Sequence, residues 1–270
     1  MTTKKPRIKR KVEETTNTVE QTLTVPIVDT PVIVNPEPKR TNVLILLDKS
    51  GSMAPDWTTT MAHLKEQIEM SKNQCVPGHE VYISVWMFNE RVSQLAPFTS
   101  AREFAMGSIY AQRPDGGTAL YDGMTQAISF LRSRMAMFNN PQDAALMITI
   151  TDGEENSSWN KDPGPIKENI QGLEATGRYT FTFIGTEDAF SVNQKFGINM
   201  GNTVVYKGAA FSGGTTTIGL NNYYAARTLG ATQSAGFYGD QNLTQQTPDP
   251  LKTNFSFSIP PGSPDLSKTS

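Results

Sequence analysis

The chain has 270 residues, 37% of them hydrophobic, a share below the globular norm that leaves part of the chain outside a packed core. A formal net charge of −2 gives no general pull toward nucleic acid or an anionic membrane. The single cysteine, Cys75, rules out an internal disulfide, and no apolar run reaches the length of about 18 residues that a membrane-spanning helix needs.

Residues 1–40 are expected to form a disordered tail. They open with a basic cluster, Lys4, Lys5, Arg7, Lys9, Arg10 and Lys11. Polar residues Glu13 to Asn17 follow where a signal peptide would need an apolar run, so export is not expected and a cytoplasmic location is. Pro26, Pro31, Pro36 and Pro38 then favour extended backbone. The basic arm is read as a solvated tail, or as a tether to an acidic partner or nucleic acid.

Residues 42–47 are a continuous apolar run suited to a strand buried on both faces. Residues 58–74 carry Met61, Leu64, Ile68 and Met70 at helical spacing. Strands are predicted over 80–88 and, as a short edge, 91–98. A glycine turn at Asp115-Gly116-Gly117-Thr118 leads into a helix marked by Leu120, Met124, Ile128 and Leu131. A second buried strand follows at 144–151, a helix at 165–175, a strand at 179–184, a helix around 188–196 and a short strand at 203–206. Strands alternating with helices predict an α/β fold, a doubly wound and mostly parallel sheet with helices on both faces. Residues 220–230 suit a short helix carrying Tyr223, Tyr224 and Leu229. Residues 231–270 read as a disordered polar tail in which Phe255 to Ile259 form an apolar island, either a docking segment or a patch without a partner. The globular domain is thus expected over 41–230, with its core at 41–207.

Three segments bring oxygen donors to one end of this sheet. The first strand runs into Asp48-Lys49-Ser50-Gly51-Ser52, the second buried strand into Asp152-Gly153-Glu154-Glu155, and Thr118 sits on the glycine turn between them. Ligands of open parallel sheets bind beyond the carboxyl ends of the strands. Two carboxylates and three hydroxyls are hard ligands that suit Mg²⁺, Mn²⁺ or Ca²⁺. A cation so held keeps net positive charge and waters that an outside carboxylate can replace. Lys49 is expected to point away, since side chains alternate along an extended segment. Asp122 is read as a second-layer acceptor or a solvated helix residue, and Glu154 and Glu155 as rim charges.

Asp48-x-Ser50-x-Ser52, Thr118 in Gly-Gly-Thr and Asp152 in Thr-Asp-Gly together resemble the metal-ion-dependent adhesion site of the von Willebrand factor type A family, in the family's order. The resemblance spans about residues 41–207 and looks closer to bacterial and phage-type members than to secreted animal modules. It implies that Ser50, Ser52 and Thr118 ligate the ion through hydroxyls and that Asp48 and Asp152 often act through water. It implies a protein partner that offers an Asp or Glu to the metal, including partners in assemblies driven by AAA+ ATPases.

Catalysis is not expected. A haloacid-dehalogenase-type phosphotransferase needs an Asp two residues after the first, where Ser50 stands, and neither a P-loop nor a Gly-x-Ser-x-Gly elbow occurs. His63 and His79 are read as solvated or packed residues, and Cys75 as a small buried or half-buried one. The leading expectation is a metal-dependent protein-binding module. A structural part of a virus particle or surface assembly is the alternative, and a metal-dependent hydrolase the third.

Overall fold

A computed structural model describes residues 37–138, 140–153, 155–205, 213–239 and 257–258. In chain order the strands are β1 (Lys39–Asp48), β2 (His79–Phe88), β3 (Val92–Ser100), β4 (Ala144–Thr151), β5 (Tyr179–Gly185) and β6 (Thr203–Val205). The helices are α1 (Trp57–Asn73), the one-turn α2 (Gly107–Tyr110), α3 (Leu120–Ala136), α4 (Gly164–Glu174), α5 (Glu187–Phe196) and α6 (Gly213–Thr228). The sheet order is β3-β2-β1-β4-β5-β6. β1 pairs in parallel with both β2 and β4, β5 continues the parallel set to β6, and β3 is the antiparallel edge. The expected α/β, mostly parallel sheet is therefore observed. Pro97 sits inside β3, where an edge strand tolerates its missing N–H.

The central strands read as unbroken apolar runs because both faces are covered. In β1, Val43, Ile45 and Leu47 enter one core with Trp57, Met61, Leu64 and Ile68 of α1 and Leu220, Tyr223 and Tyr224 of α6. Leu44 and Leu46 enter the other, with Leu120, Met124, Ile128 and Leu131 of α3, Ile166 and Ile170 of α4 and Phe196 of α5. The period of two along the strand divides the side chains between these layers, and the four-three-four spacing along α1 keeps its apolar stripe on one side. Each such side chain taken from water contributes about 1.5–3 kcal/mol.

The order of strands places a topological switch between β1 and β4. From β1 the chain crosses to β2 on one side, and it later returns to β4 on the other. At such a switch the loops leaving the two strand ends diverge and leave a crevice. Asp48 ends β1 and Asp152 directly follows β4, so both acids flank that crevice.

Three expected boundaries shift. β1 starts at Lys39, inside the segment read as tail. At the other end residues 231–239 are packed rather than loose. Ala231, Thr232, Ser234, Phe237 and Tyr238 are buried, Ser234 N donates to Thr180 Oγ1 at 2.9 Å, and Phe237 N donates to Asn202 Oδ1 at 2.8 Å. Polar composition over the whole stretch hid two aromatic residues that fill the core above β5. The helix expected at 220–230 begins earlier, at Gly213, and Leu229 stands exposed beyond its end. Within the apolar island, Phe257–Ser258 pairs antiparallel with a two-residue strand at Gln233–Ser234. The rest of that island, the basic arm and the prolines through Pro36 lie outside the described residues.

Candidate metal centre

Asp48 is fully buried at the end of β1, and its carboxylate is held from two directions. Ser50 N donates to Oδ1 at 2.7 Å and Thr151 Oγ1 donates to Oδ2 at 2.6 Å. From there the hydroxyls form a chain. Ser50 Oγ lies 3.0 Å from Ser52 Oγ, and Ser52 donates to Asp152 Oδ1 at 2.9 Å. Each hydroxyl has one proton, so Ser52's use of its own toward Asp152 makes Ser50 the donor to Ser52. Asp48 and Ser50 are buried, whereas Ser52 is exposed and Asp152 half-buried, so the site opens to solvent at its Ser52–Asp152 side.

Thr118 is brought to the same place by its loop. Gly51 N donates to Gly116 O at 3.0 Å and Asp115 N to Lys49 O at 2.9 Å, which lashes the glycine turn to the loop after β1. A Cβ on Gly153 would sit 3.1 Å from Thr118 Oγ1 and 3.4 Å from Ser52 Oγ, so Gly153 keeps open the space into which both hydroxyls point. All five expected residues thus come from three loops at one sheet end.

Burial dominates the electrostatics. It pushes the Asp48 carboxyl up to about 6, against the pull of its hydrogen bonds from Thr151 and Ser50, and nearby Asp152 adds to the rise. Burial also raises Asp152, with a smaller push from Asp56. Two carboxylates held above their ordinary range in a hydroxyl-lined crevice lack positive charge. A divalent cation fits that donor set, which is all oxygen and carries only two negative charges. Among the described residues no group of three or more His, Cys, Asp or Glu gathers as a metal cluster, so hydroxyls form the majority of this set.

Lys49 points away, as expected: its Nζ donates to Asp115 Oδ1 at 2.8 Å, and that contact holds the Asp115 carboxyl below its usual range. Glu155 is not a rim charge. Its Oε2 accepts from Tyr121 N at 2.9 Å and from Ser158 Oγ, and its Oε1 accepts from Ser158 N at 2.7 Å, so it neutralises a free amide in the first turn of α3. Asp122 instead accepts from Trp159 N at 2.9 Å and anchors the same loop. Glu154 lies outside the described residues.

Sequence reasoning missed two residues that build the site. Thr151 bonds Asp48, and Asn156 Oδ1 accepts from Thr118 N at 2.8 Å. Both lie beside singled-out residues, but only the register between strand ends shows what they touch. The Asn156 latch also explains Gly117. A Cβ there would overlap Ser157 Oγ and stand 2.8 Å from Asn156 Oδ1. Gly117→Ala is therefore expected to displace the latch, cost about 1–3 kcal/mol in urea unfolding and weaken metal binding through Thr118.

Residues 43–155 match the family model of the von Willebrand factor type A domain, a span that contains all five candidate ligands. Over those residues the chain is similar to the von Willebrand factor type A domain. Solved structures of similar fold include the pilus adhesin SpaC from Lactobacillus rhamnosus GG, at 14% identity and TM-score 0.52 over 70% of this chain and 30% of that one. Another is proximal thread matrix protein 1 from the mussel byssus with a zinc-occupied MIDAS motif, at 16% identity and TM-score 0.50 over 70% of this chain and 46% of that one. A von Willebrand factor type A protein from Catenulispora acidiphila aligns at 17% identity and TM-score 0.44, over 75% of this chain and 43% of that one. The chain thus spans less than half the length of these three proteins. No curated protein matches it in sequence. At these identities the likeness concerns the fold, and the site stands on its own geometry. No helix among the described residues is long and apolar enough to cross a membrane.

Proposed function

We propose that this domain is a metal-dependent protein-binding module in which Asp48, Ser50, Ser52, Thr118 and Asp152 hold a divalent cation, Mg²⁺ or alternatively Mn²⁺ or Ca²⁺. The observation that carries this reading is the continuous chain from Ser50 through Ser52 to Asp152, beside a buried Asp48, at the switch point of the sheet. When bound, the cation supplies an electrophilic centre that an Asp or Glu of a protein partner can occupy, because three of its five protein donors are neutral. Thr151 and Ser50 N orient the Asp48 carboxylate, Asn156 fixes the Thr118 backbone, and the Ser52–Asp152 side faces the partner.

The reading is one of binding without catalysis. His79 lies at the start of β2, where its Nε2 shares a 2.8 Å hydrogen bond with Thr41 Oγ1. Thr41 and Asp48 stand seven residues apart on β1, roughly 23 Å at strand rise, so this imidazole is no base for chemistry at the crevice.

The test is binding of Mg²⁺ and Mn²⁺ to chelator-stripped protein, followed by partner capture with and without metal. Asp152→Ala is expected to weaken Mg²⁺ binding by about 100-fold and to remove the metal-dependent share of captured protein. Capture unchanged by both chelator and Asp152→Ala would refute the proposal.

A further inference from the structure

The loops that carry Ser52 and Thr118 also wall a cleft of about 670 Å³. Its lining includes Ala54, two residues beyond Ser52, and Pro114, directly before Asp115, so it adjoins in sequence both loops that carry the site. Trp57 and Met61 of α1, both buried, form an apolar floor, and Tyr110 stands 46% exposed as a side wall. Lys65 and Arg113 complete the lining. The volume lies within the range of about 300–1,000 Å³ common to ligand pockets.

The charges on this cleft are open to a partner. Arg113 Nη1 donates to the carbonyls of Tyr110 and Gln112, which leaves the rest of its guanidinium outward. Neither Arg113 nor Lys65 forms an ion pair with a carboxylate among the described residues. An apolar floor under two unpaired cations fits a bulky apolar side chain next to an acidic one.

We propose that this cleft receives a large apolar residue of the partner segment whose carboxylate engages the metal centre, with a second acidic residue of that segment facing Lys65 and Arg113. This rests on the metal-centre reading above. The Gly51 N to Gly116 O hydrogen bond joins the two loops, so the cleft edge and the ligand hydroxyls belong to one continuous surface. Any carboxylate can approach a divalent cation, so the metal alone selects weakly. Burying one large apolar side chain beside it adds about ten- to hundred-fold and makes the contact selective.

The test uses the full chain loaded with Mg²⁺ and a displayed library of dodecapeptides with a central aspartate fixed and all other positions random. Enriched peptides are expected to place a large apolar residue and a second acid on one side of the fixed aspartate. Two variants then probe the cleft: Ala62→Trp, which fills it from an exposed position on α1, and the double reversal Lys65→Glu, Arg113→Glu. Each is expected to weaken the best peptide about ten-fold or more while leaving Mg²⁺ binding unchanged. Peptides that need Mg²⁺ but ignore both variants overturn the cleft assignment and leave the metal centre standing. Peptides bound equally in chelator, or no enrichment at all, overturn both.

Discussion

Asp48→Asn is expected to abolish saturable Mg²⁺ binding and yet to make the chelator-stripped protein more stable at neutral pH. Both effects follow from one carboxylate. In the metal-free fold, burial raises Asp48 from 3.8 to about 6. The folded state therefore binds a proton more tightly than the unfolded chain does. Stability from this group is highest below the unfolded value and falls as pH rises from about 4 to about 6, by up to about 3 kcal/mol. Above that window the metal-free protein holds a buried negative charge that the asparagine lacks. The Thr151 hydroxyl can rotate to accept one N–H of the new amide while Ser50 N still donates to its oxygen, so most of the local bonding is kept. Adding Mg²⁺ reverses the order, because only the wild type gains binding free energy. Urea unfolding of both proteins at pH 5 and 7.5, with chelator and with Mg²⁺, checks this. Equal stabilities of both proteins in chelator at pH 7.5 would show that the carboxylate is not strained by burial. Equal Mg²⁺ stabilisation of both would show that Asp48 is not a ligand.

The residues that announced the site did so because their chemistry is local. Asp48, Ser50 and Ser52 share a five-residue loop, Thr118 needs only its glycine turn, and Asp152 only the end of an apolar strand. Sheet strands were legible for a similar reason: residues 43–47 of β1 and 144–148 of β4 are apolar without a break because both faces are covered. The support around the site was not legible. Glu155 looks like a surface acid in sequence, and only the approach of the β4 loop to the first turn of α3 turns it into a helix cap. The start of α6 failed for a different reason. Gly213, Gly214 and three threonines are poor helix formers, so nothing in the local sequence marks a helix start there. Gly219 shows how close the packing is, since a Cβ there would press on the Phe237 ring. The same contact explains why Phe237 and Tyr238, placed in a tail by composition, belong to the core.

Arg227, near the end of α6, carries the second large effect, far from the crevice. It is 1% exposed, and its guanidinium is spent on neutral acceptors. Nε donates to Thr41 Oγ1 at 3.0 Å, Nη1 to Ala231 O at 2.6 Å, and Nη2 to Arg40 O at 3.1 Å and Gln142 O at 2.8 Å. One side chain thus ties α6, the start of β1, the turn before β4 and the packed C-terminal segment. Arg227→Ala leaves three carbonyls without their donor and opens a cavity, an expected loss of about 3–5 kcal/mol in urea unfolding. Arg227→Lys is expected to recover less than half of it, because one ammonium cannot reproduce the planar fork. A histidine reports on the same knot. Thr41 Oγ1 accepts from Arg227 Nε and shares a 2.8 Å hydrogen bond with His79 Nε2, so the guanidinium and the ring meet at one hydroxyl. Burial first, then Arg227 and Lys39, push His79 down to about 3. Because the unfolded chain takes up this proton near 6.5, the contribution of His79 is complete above that pH and is lost as pH falls toward 3. This slope opposes that of Asp48 between pH 4 and 6, so each is isolated only as a difference between wild type and variant. Removing Arg227 takes away the largest charge acting on the ring. NMR titration of His79 in Arg227→Met is expected to show its pKa raised above the wild-type value while still below the ordinary 6.5 because burial persists. An unmoved titration, or a loss under 1 kcal/mol in Arg227→Ala, would mean that the four acceptors find other donors and that the guanidinium does not hold these elements together.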